Sequence, residues 1–209
     1  MNPDTMTVNG TLPVSASDRE AWSPPDAPQR TYQLTPLTVV ERPQIADAVN
    51  GAVGAYPSDD MVRWTLTQAA LKAFDPEEAA EAVRLLDEHA ALDKAGDKTD
   101  DEVTAVLATQ KAAIDRLQTR LSWRDETVRE IIVARSCWVE TWMLFTARAV
   151  IRDWDGLAVP CRRRRYGMVQ MVDDDAMKAV PDVDLKPLVA RCHDWVEVTQ
   201  AQEPGSVSP

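Results

Sequence analysis

Histidine, glycine and cysteine are all sparse in this sequence, and each shortage closes off a class of protein. Two histidines, His89 and His193, leave little imidazole for metal ligation or proton relays. The three cysteines, Cys137, Cys161 and Cys192, are odd in number and show no CxxC spacing. Neither a disulfide framework nor a zinc knuckle is encoded, which suits a reducing compartment. Seven glycines, two phenylalanines and three tyrosines fall short of the turn and β-former content of a sandwich or barrel, whereas Ala, Leu, Glu, Asp and Arg dominate the middle of the chain. Net positive charge is also lacking: the formal charge is -11, which argues against a general polyanion binder. No apolar run reaches the roughly 20 residues of a membrane span. The polar N-terminus lacks the basic start and apolar core of a signal peptide, and no lipidation motif closes the C-terminus, so neither export nor anchoring is expected.

What the sequence does hold is helical punctuation and one dominant apolar stretch. Residues 131–154, IIVARSCWVETWMLFTARAVIRDW, contain no Pro and no Gly. At 3.6 residues per turn Ile131, Ile132, Trp138, Val139, Trp142, Phe145, Ala149 and Val150 share one broad arc, with Glu130, Glu140, Thr141, Arg148 and Arg152 opposite. This spacing predicts a central amphipathic helix that the other helices cover. Arg135 and Asp153 project onto the apolar arc, where each must snorkel, pair or meet a partner.

Around that helix the start and stop signals are local. Thr38 and Glu41 have capping-box spacing, with Pro43 leaving open a bent first turn or a regular start at Pro43; the helix then runs to about Val53. Ser58, Asp59 and Asp60 open a helix carrying Met61, Trp64, Leu66, Ala69, Leu71 and Phe74. Asp75-Pro76-Glu77-Glu78 starts another that runs to about Lys94, and Thr99-Asp100-Asp101-Glu102 a third that reaches Leu121, so residues 76–121 are expected to form an antiparallel hairpin. Ser122 either caps a fresh start at Trp123 or lies in a bend. Asp155-Gly156 through Pro160 ends the central helix, and a short helix from Asp173 to about Val180 and a final one from Asp184 follow. Residues 31–37 alternate polar and apolar, as a short strand or a strap would. Residues 1–30, rich in Pro, Ser, Asn and Asp, read as a disordered arm whose only large anchor, Trp22, is either a docking point or a stray surface aromatic. The expected architecture is therefore all-α: an irregular helical bundle with an antiparallel helix hairpin, a single helical domain over 31–200, a disordered N-terminal arm over 1–30 and a short disordered tail over 201–209.

Catalytic raw material is thin. His89 lies on a charged, alanine-rich helix and reads as solvated. Cys192, His193 and Asp194 point about 100° apart on a helix and cannot converge on one metal or proton; a core cysteine beside a surface histidine is expected. No P-loop, GxGxxG, HExxH or GxSxG occurs, and acidic pairs such as Glu77-Glu78 and Asp100-Asp101 sit where helix starts prefer them. No catalytic residue, metal site or cofactor is expected, and the chain is not read as an enzyme. The sharpest feature outside the core is Arg162, Arg163, Arg164 and Arg165, expected in a loop. It could be solvated and partly neutralised by Asp173, Asp174 and Asp175, or grip phosphates or an acidic partner. The negative net charge favours a protein partner over nucleic acid. With Trp64, Trp138 and Trp142 on the apolar helix faces, these four arginines are the candidate partner-binding residues.

The landmarks Tyr32 to Thr38 opening a helix, Tyr56-Pro57-Ser58-Asp59, Val133 to Trp138, and Arg152-Asp153-Trp154-Asp155-Gly156-Leu157 leading to Val159-Pro160 and the arginine run resemble, over about residues 32–200, the tail assembly chaperones of long-tailed bacteriophages and phage-like particles. The resemblance implies a non-catalytic protein of the host cytoplasm that binds the tape-measure protein, keeps that long helical chain soluble, helps recruit tail-tube subunits and is absent from the mature virion. A groove for another amphipathic helix, and self-association, are compatible with the apolar helix faces. The alternative class is a small nucleic-acid-associated or regulatory protein acting through Arg162, Arg163, Arg164 and Arg165.

Overall fold

The computed structural model describes residues 20–38, 40–95 and 100–202, with side chains described as far as Asp194. Of the expected arm and tail, residues 1–19 and 203–209 lie outside the described residues. So does Thr99, the expected first residue of a capping box; Asp100 accepts from the N–H of Glu102 in that helix start. Among the described residues are seven helices and five strands. They group into two compact units, one of Tyr56–Cys137 and one of Met1–Ala55 with Trp138–Pro209. The first is helical. The second is mixed, so the chain is mostly helical but not all-α.

The helical unit follows its caps. Helix α2 (Asp59–Ala73) begins where Ser58 Oγ accepts from the N–H of Met61 at 3.2 Å. Helix α3 (Pro76–Ala95) begins where Asp75 accepts from the N–H groups of Glu77 and Glu78. Helix α4 (Asp101–Ser122) returns antiparallel to α3, with Arg120 meeting Glu78 at one end and Gln110 meeting His89 near the other. His89 is therefore half-buried in the hairpin rather than a free surface side chain. Ser122 does not cap the next helix; its hydroxyl donates back to the Thr119 carbonyl. Asp125 supplies the cap, accepting from Thr127 and Val128, and α5 (Glu126–Val150) follows. Leu66, Ala69, Ala70, Ala82, Leu86, Ile114, Leu117, Leu121 and Val128 form a core of small and branched apolar residues. The part of α5 up to Cys137 belongs to this unit.

The mixed unit is where tertiary structure overrides helical spacing. The expected central helix through Trp154 ends at Val150, and Ile151–Asp155 is strand β3. It joins an antiparallel sheet of order β1-β2-β3, with β1 at Glu20–Trp22 and β2 at Thr31–Leu34. The Val150 carbonyl, which would be left unpaired at a helix end, accepts from Thr35 N at 3.0 Å. Ile151 and Trp154 are buried, a three-residue spacing that a helix and an irregular strand satisfy alike, and both residues favour a pleated, half-buried surface. The β2 edge settles it by offering main-chain partners. Gly156 closes β3 at φ +80°, where a Cβ would lie 2.3 Å from the Gln29 carbonyl oxygen, so only glycine allows the two segments to approach this closely.

Glu20–Trp22 extends the fold into what was expected to be a disordered arm. Trp22 packs its ring 5.8 Å from that of Tyr32 and is half-buried, not a stray surface aromatic. Helix α1 (Glu41–Val53) starts with the expected box: Thr38 N donates to the Glu41 carboxylate and Glu41 N to the Thr38 hydroxyl. Pro43 lies in its first turn, where a missing N–H deprives no intrahelical bond. Strands β4 (Arg163–Tyr166) and β5 (Val169–Val172) form a hairpin turning at Gly167, followed by the short α6 (Asp174–Met177) capped by Asp173. Helix α7 (Asp182–Gln202) starts two residues before the expected Asp184. Tyr32, Leu34, Ile45, Val49, Val150, Ile151, Met171 and Leu188 are at the centre of this second core.

Candidate partner-binding surfaces

On α2 one side is packed and the other is bare. Val62, Leu66, Ala69 and Ala70 enter the helical unit's core. Met61, Trp64 and Leu71, spaced by three and seven residues and hence on one side of the helix, are 56%, 65% and 57% exposed. These are large apolar groups with most of their surface in water. The start of α2 is held by charge: Arg135 donates to the Tyr56 hydroxyl at 2.8 Å and to Asp59 at 2.7 Å, and its guanidinium lies 4.9 Å from the Tyr56 ring centre. Pairing is thus how Arg135 is accommodated on the central helix.

Trp138 and Trp142 belong to the other unit. Their rings stack at 5.5 Å with 7° between planes, and Trp138 Nε1 donates to Asn50 Oδ1 at 2.8 Å. Both are half-buried against the core of the mixed unit, so they hold α5 to α1 as much as they offer a surface.

The arginine run is not a loop but an edge of the β4–β5 hairpin, and its members have different environments. Arg163 turns inward and donates to the carbonyls of Ala149 and Gln170. Burial, then the neighbouring charge of Arg152, pushes its guanidinium down to about 10. Arg164 pairs with Asp173 at 3.3 Å, so one member of the acidic triplet neutralises part of the run. Arg165 donates to the Gly167 carbonyl, and Arg162 is exposed. The same hairpin covers an arginine that helical spacing placed on the solvent side. Arg148 is only 3% exposed, donates to Val172 O at 2.8 Å, pairs with Asp174 at 2.8 Å and lies 4.7 Å from the Tyr166 ring centre. In the last turn of α5 the chain turns into the sheet, so the wheel's polar side is covered there. Nothing local in the sequence signals this; the partners come from residues 166–174.

No group of three His, Cys, Asp or Glu among the described residues could hold a metal ion. Burial pushes the Cys161 thiol up to about 11 and that of Cys192 to about 12, the opposite of an activated nucleophile. Cys192 is buried and His193 half-buried. Asp153, the other charge on the apolar arc, accepts from the N–H of Trp154 in β3. A hollow of about 470 Å³ lies along the hairpin of α3 and α4, floored by Leu85 and Leu117. Arg120 also lines it, 4.6 Å from the Phe74 ring centre and paired with Glu78 at 2.6 Å. Among the described residues no helix is long and apolar enough to cross a membrane. No family model, curated protein or solved structure matches the chain.

Proposed function

We propose that this chain is a non-catalytic assembly chaperone of the phage-tail kind, binding an amphipathic helical segment of the tape-measure protein and helping to recruit tail-tube subunits in the host cytoplasm, without remaining in the mature virion. The observation that carries the reading is the bare side of α2, where Met61, Trp64 and Leu71 stand mostly in water on a helix whose opposite side is fully packed. A helical client laid along that side would bury these groups, and tryptophan is well suited as the anchor of such an interface. The resemblance in sequence landmarks supplies the identity of the client.

The alternative, a nucleic-acid-associated protein using Arg162, Arg163, Arg164 and Arg165, has less support. Arg163 is turned into the protein and Arg164 is paired with a carboxylate.

Co-expression with the tape-measure protein of the same phage genome, followed by affinity capture, tests the proposal. The chain should recover the client and raise its soluble fraction, and Trp64→Glu with Leu71→Glu should abolish both while leaving the helical circular dichroism unchanged. No recovery and no gain in client solubility would sink it.

A further inference from the structure

The pairing of β4 with β5 determines where the main-chain groups of the arginine run point. Asp173 N donates to the Arg162 carbonyl at 2.9 Å. From there the register pairs Arg163 with Val172, Arg164 with Met171, Arg165 with Gln170 and Tyr166 with Val169. Antiparallel partners alternate between pairs that exchange hydrogen bonds and pairs that do not. Because 162 and 173 form a bonded pair, 164 with 171 and 166 with 169 are bonded too. The N–H and C=O groups of Arg163 and Arg165 therefore point away from β5. Among the described residues no further strand pairs on that side.

This open edge is lined with positive charge. Arg162, Arg164 and Arg165 are exposed, and Arg164 keeps 70% of its side-chain surface in water even while pairing with Asp173. Arginines on an edge strand discourage pairing with a second copy, since arginine would face arginine. The same charges favour a strand whose side chains carry carboxylates.

We propose that the outer edge of β4 docks an extended acidic segment of a partner protein, which adds a strand through the main chain of Arg163 and Arg165 while its carboxylates meet Arg162, Arg164 and Arg165. Alternation along an added strand puts carboxylates opposite Arg162 and Arg164 on one face and opposite Arg165 on the other. A nucleic-acid backbone fits this edge less well, because it has no alternating N–H and C=O groups to pair with the main chain of Arg163 and Arg165. The proposal does not depend on the bare side of α2.

The test is fluorescence anisotropy with the full chain and a labelled peptide of about ten residues whose central run of glutamates, flanked by threonines, puts carboxylates on both faces of the added strand. Beside it run the same peptide with a central proline, the same peptide with glutamine in place of glutamate, and a single-stranded oligodeoxynucleotide of equal length. The glutamate peptide should bind, and the proline and glutamine peptides should bind at least about tenfold more weakly. Arg162→Glu with Arg165→Glu should weaken the glutamate peptide by at least about tenfold; if charge reversal disturbs the hairpin, Arg162→Gln with Arg165→Gln should weaken it in the same direction. Failure of the glutamate peptide to bind, equal binding of the proline or glutamine peptide, or tighter binding of the oligonucleotide overturns the proposal.

Discussion

In the helical unit the ion pairs sit on the surface: Arg63 reaches Asp60 and Asp87, and Arg84 reaches Glu88, with every one of these side chains at least 40% exposed. In the mixed unit one such group goes inside. Asp184, 2% exposed, receives Arg30 Nη2 at 2.8 Å and the Tyr32 hydroxyl at 2.9 Å, and Arg30 Nε lies 2.7 Å from its other oxygen. Arg191 grips both oxygens of Glu20 at 2.7 and 2.8 Å. These partners are separated by 152 to 171 residues in sequence. The contrast follows from topology. Helices joined by short turns find one another through an Ala and Leu seam that the local period already specifies, and exposed ion pairs add little to that, about 0 to 1 kcal/mol each. A three-stranded sheet that pairs Glu20–Trp22 and Thr31–Leu34 with Ile151–Asp155 has no such local guide. Arginine–carboxylate contacts tie the segment holding β1 and β2 to α7, and at Asp184 a misplaced partner would leave a buried charge unpaired.

Three substitutions separate the two modes, and the largest effect is expected at Asp184. Asp184→Ala leaves Arg30 and Tyr32 without their shared acceptor and should destabilise the mixed unit by about 3–5 kcal/mol. Hydrogen exchange read by mass spectrometry should show the loss in β1, β2, β3 and α7; an equal loss throughout α3 and α4, or none anywhere, would break the contrast. In the helical unit the comparable blow must be struck at apolar packing. Leu121 is fully buried, and Leu121→Ala should cost about 2–5 kcal/mol in urea denaturation, whereas Arg63→Ala should fall within about 1 kcal/mol of the parent. If the arginine mattered more than the leucine, the unit would not be seam-built.

The last effect is a pH slope confined to the alkaline limb. Burial, then the hydrogen bond to Asp184 and its charge, raise the Tyr32 phenol well above the ordinary tyrosine value. Below that ordinary value of about 10 the folded and unfolded chains both hold the proton, and the stabilisation is fully present. Above it the unfolded chain ionises while the folded one does not, so stability is lost as pH rises, by up to about 1.4 kcal/mol per pH unit from this one group. Tyr32→Phe should flatten the alkaline limb of a denaturation midpoint plotted against pH, relative to the parent. A variant with the same slope as the parent would show that Tyr32 does not carry the dependence.

Most helix starts were legible because their causes lie within four residues. Ser58, Asp75 and the Thr38–Glu41 pair are bonded as capping chemistry requires, and the hairpin of α3 and α4 follows from two seams and a short turn. Of the candidate surface residues, Trp64 is exposed on α2, whereas Trp138 and Trp142 are half-buried and the arginines are divided among inward, paired and open positions. That division was illegible, since a run of identical residues carries no period. Alternation, once the run is known to be a strand, sends them to opposite faces.

The feature that best marks the boundary is the end of the long apolar stretch. The sequence by itself determined that the long apolar stretch forms an amphipathic helix, expected through Trp154, and that caps and seams build the hairpin before it. Whether Ile151 and Trp154 continue the helix or enter a sheet was decided by β2, whose main chain meets the Val150 carbonyl and the strand after it. Burial of Arg148 and Asp184 was decided in the same way. Spacing records which side chains share a face of one element, but the free energy of burying a charge depends on donors and acceptors that arrive from elsewhere in the chain.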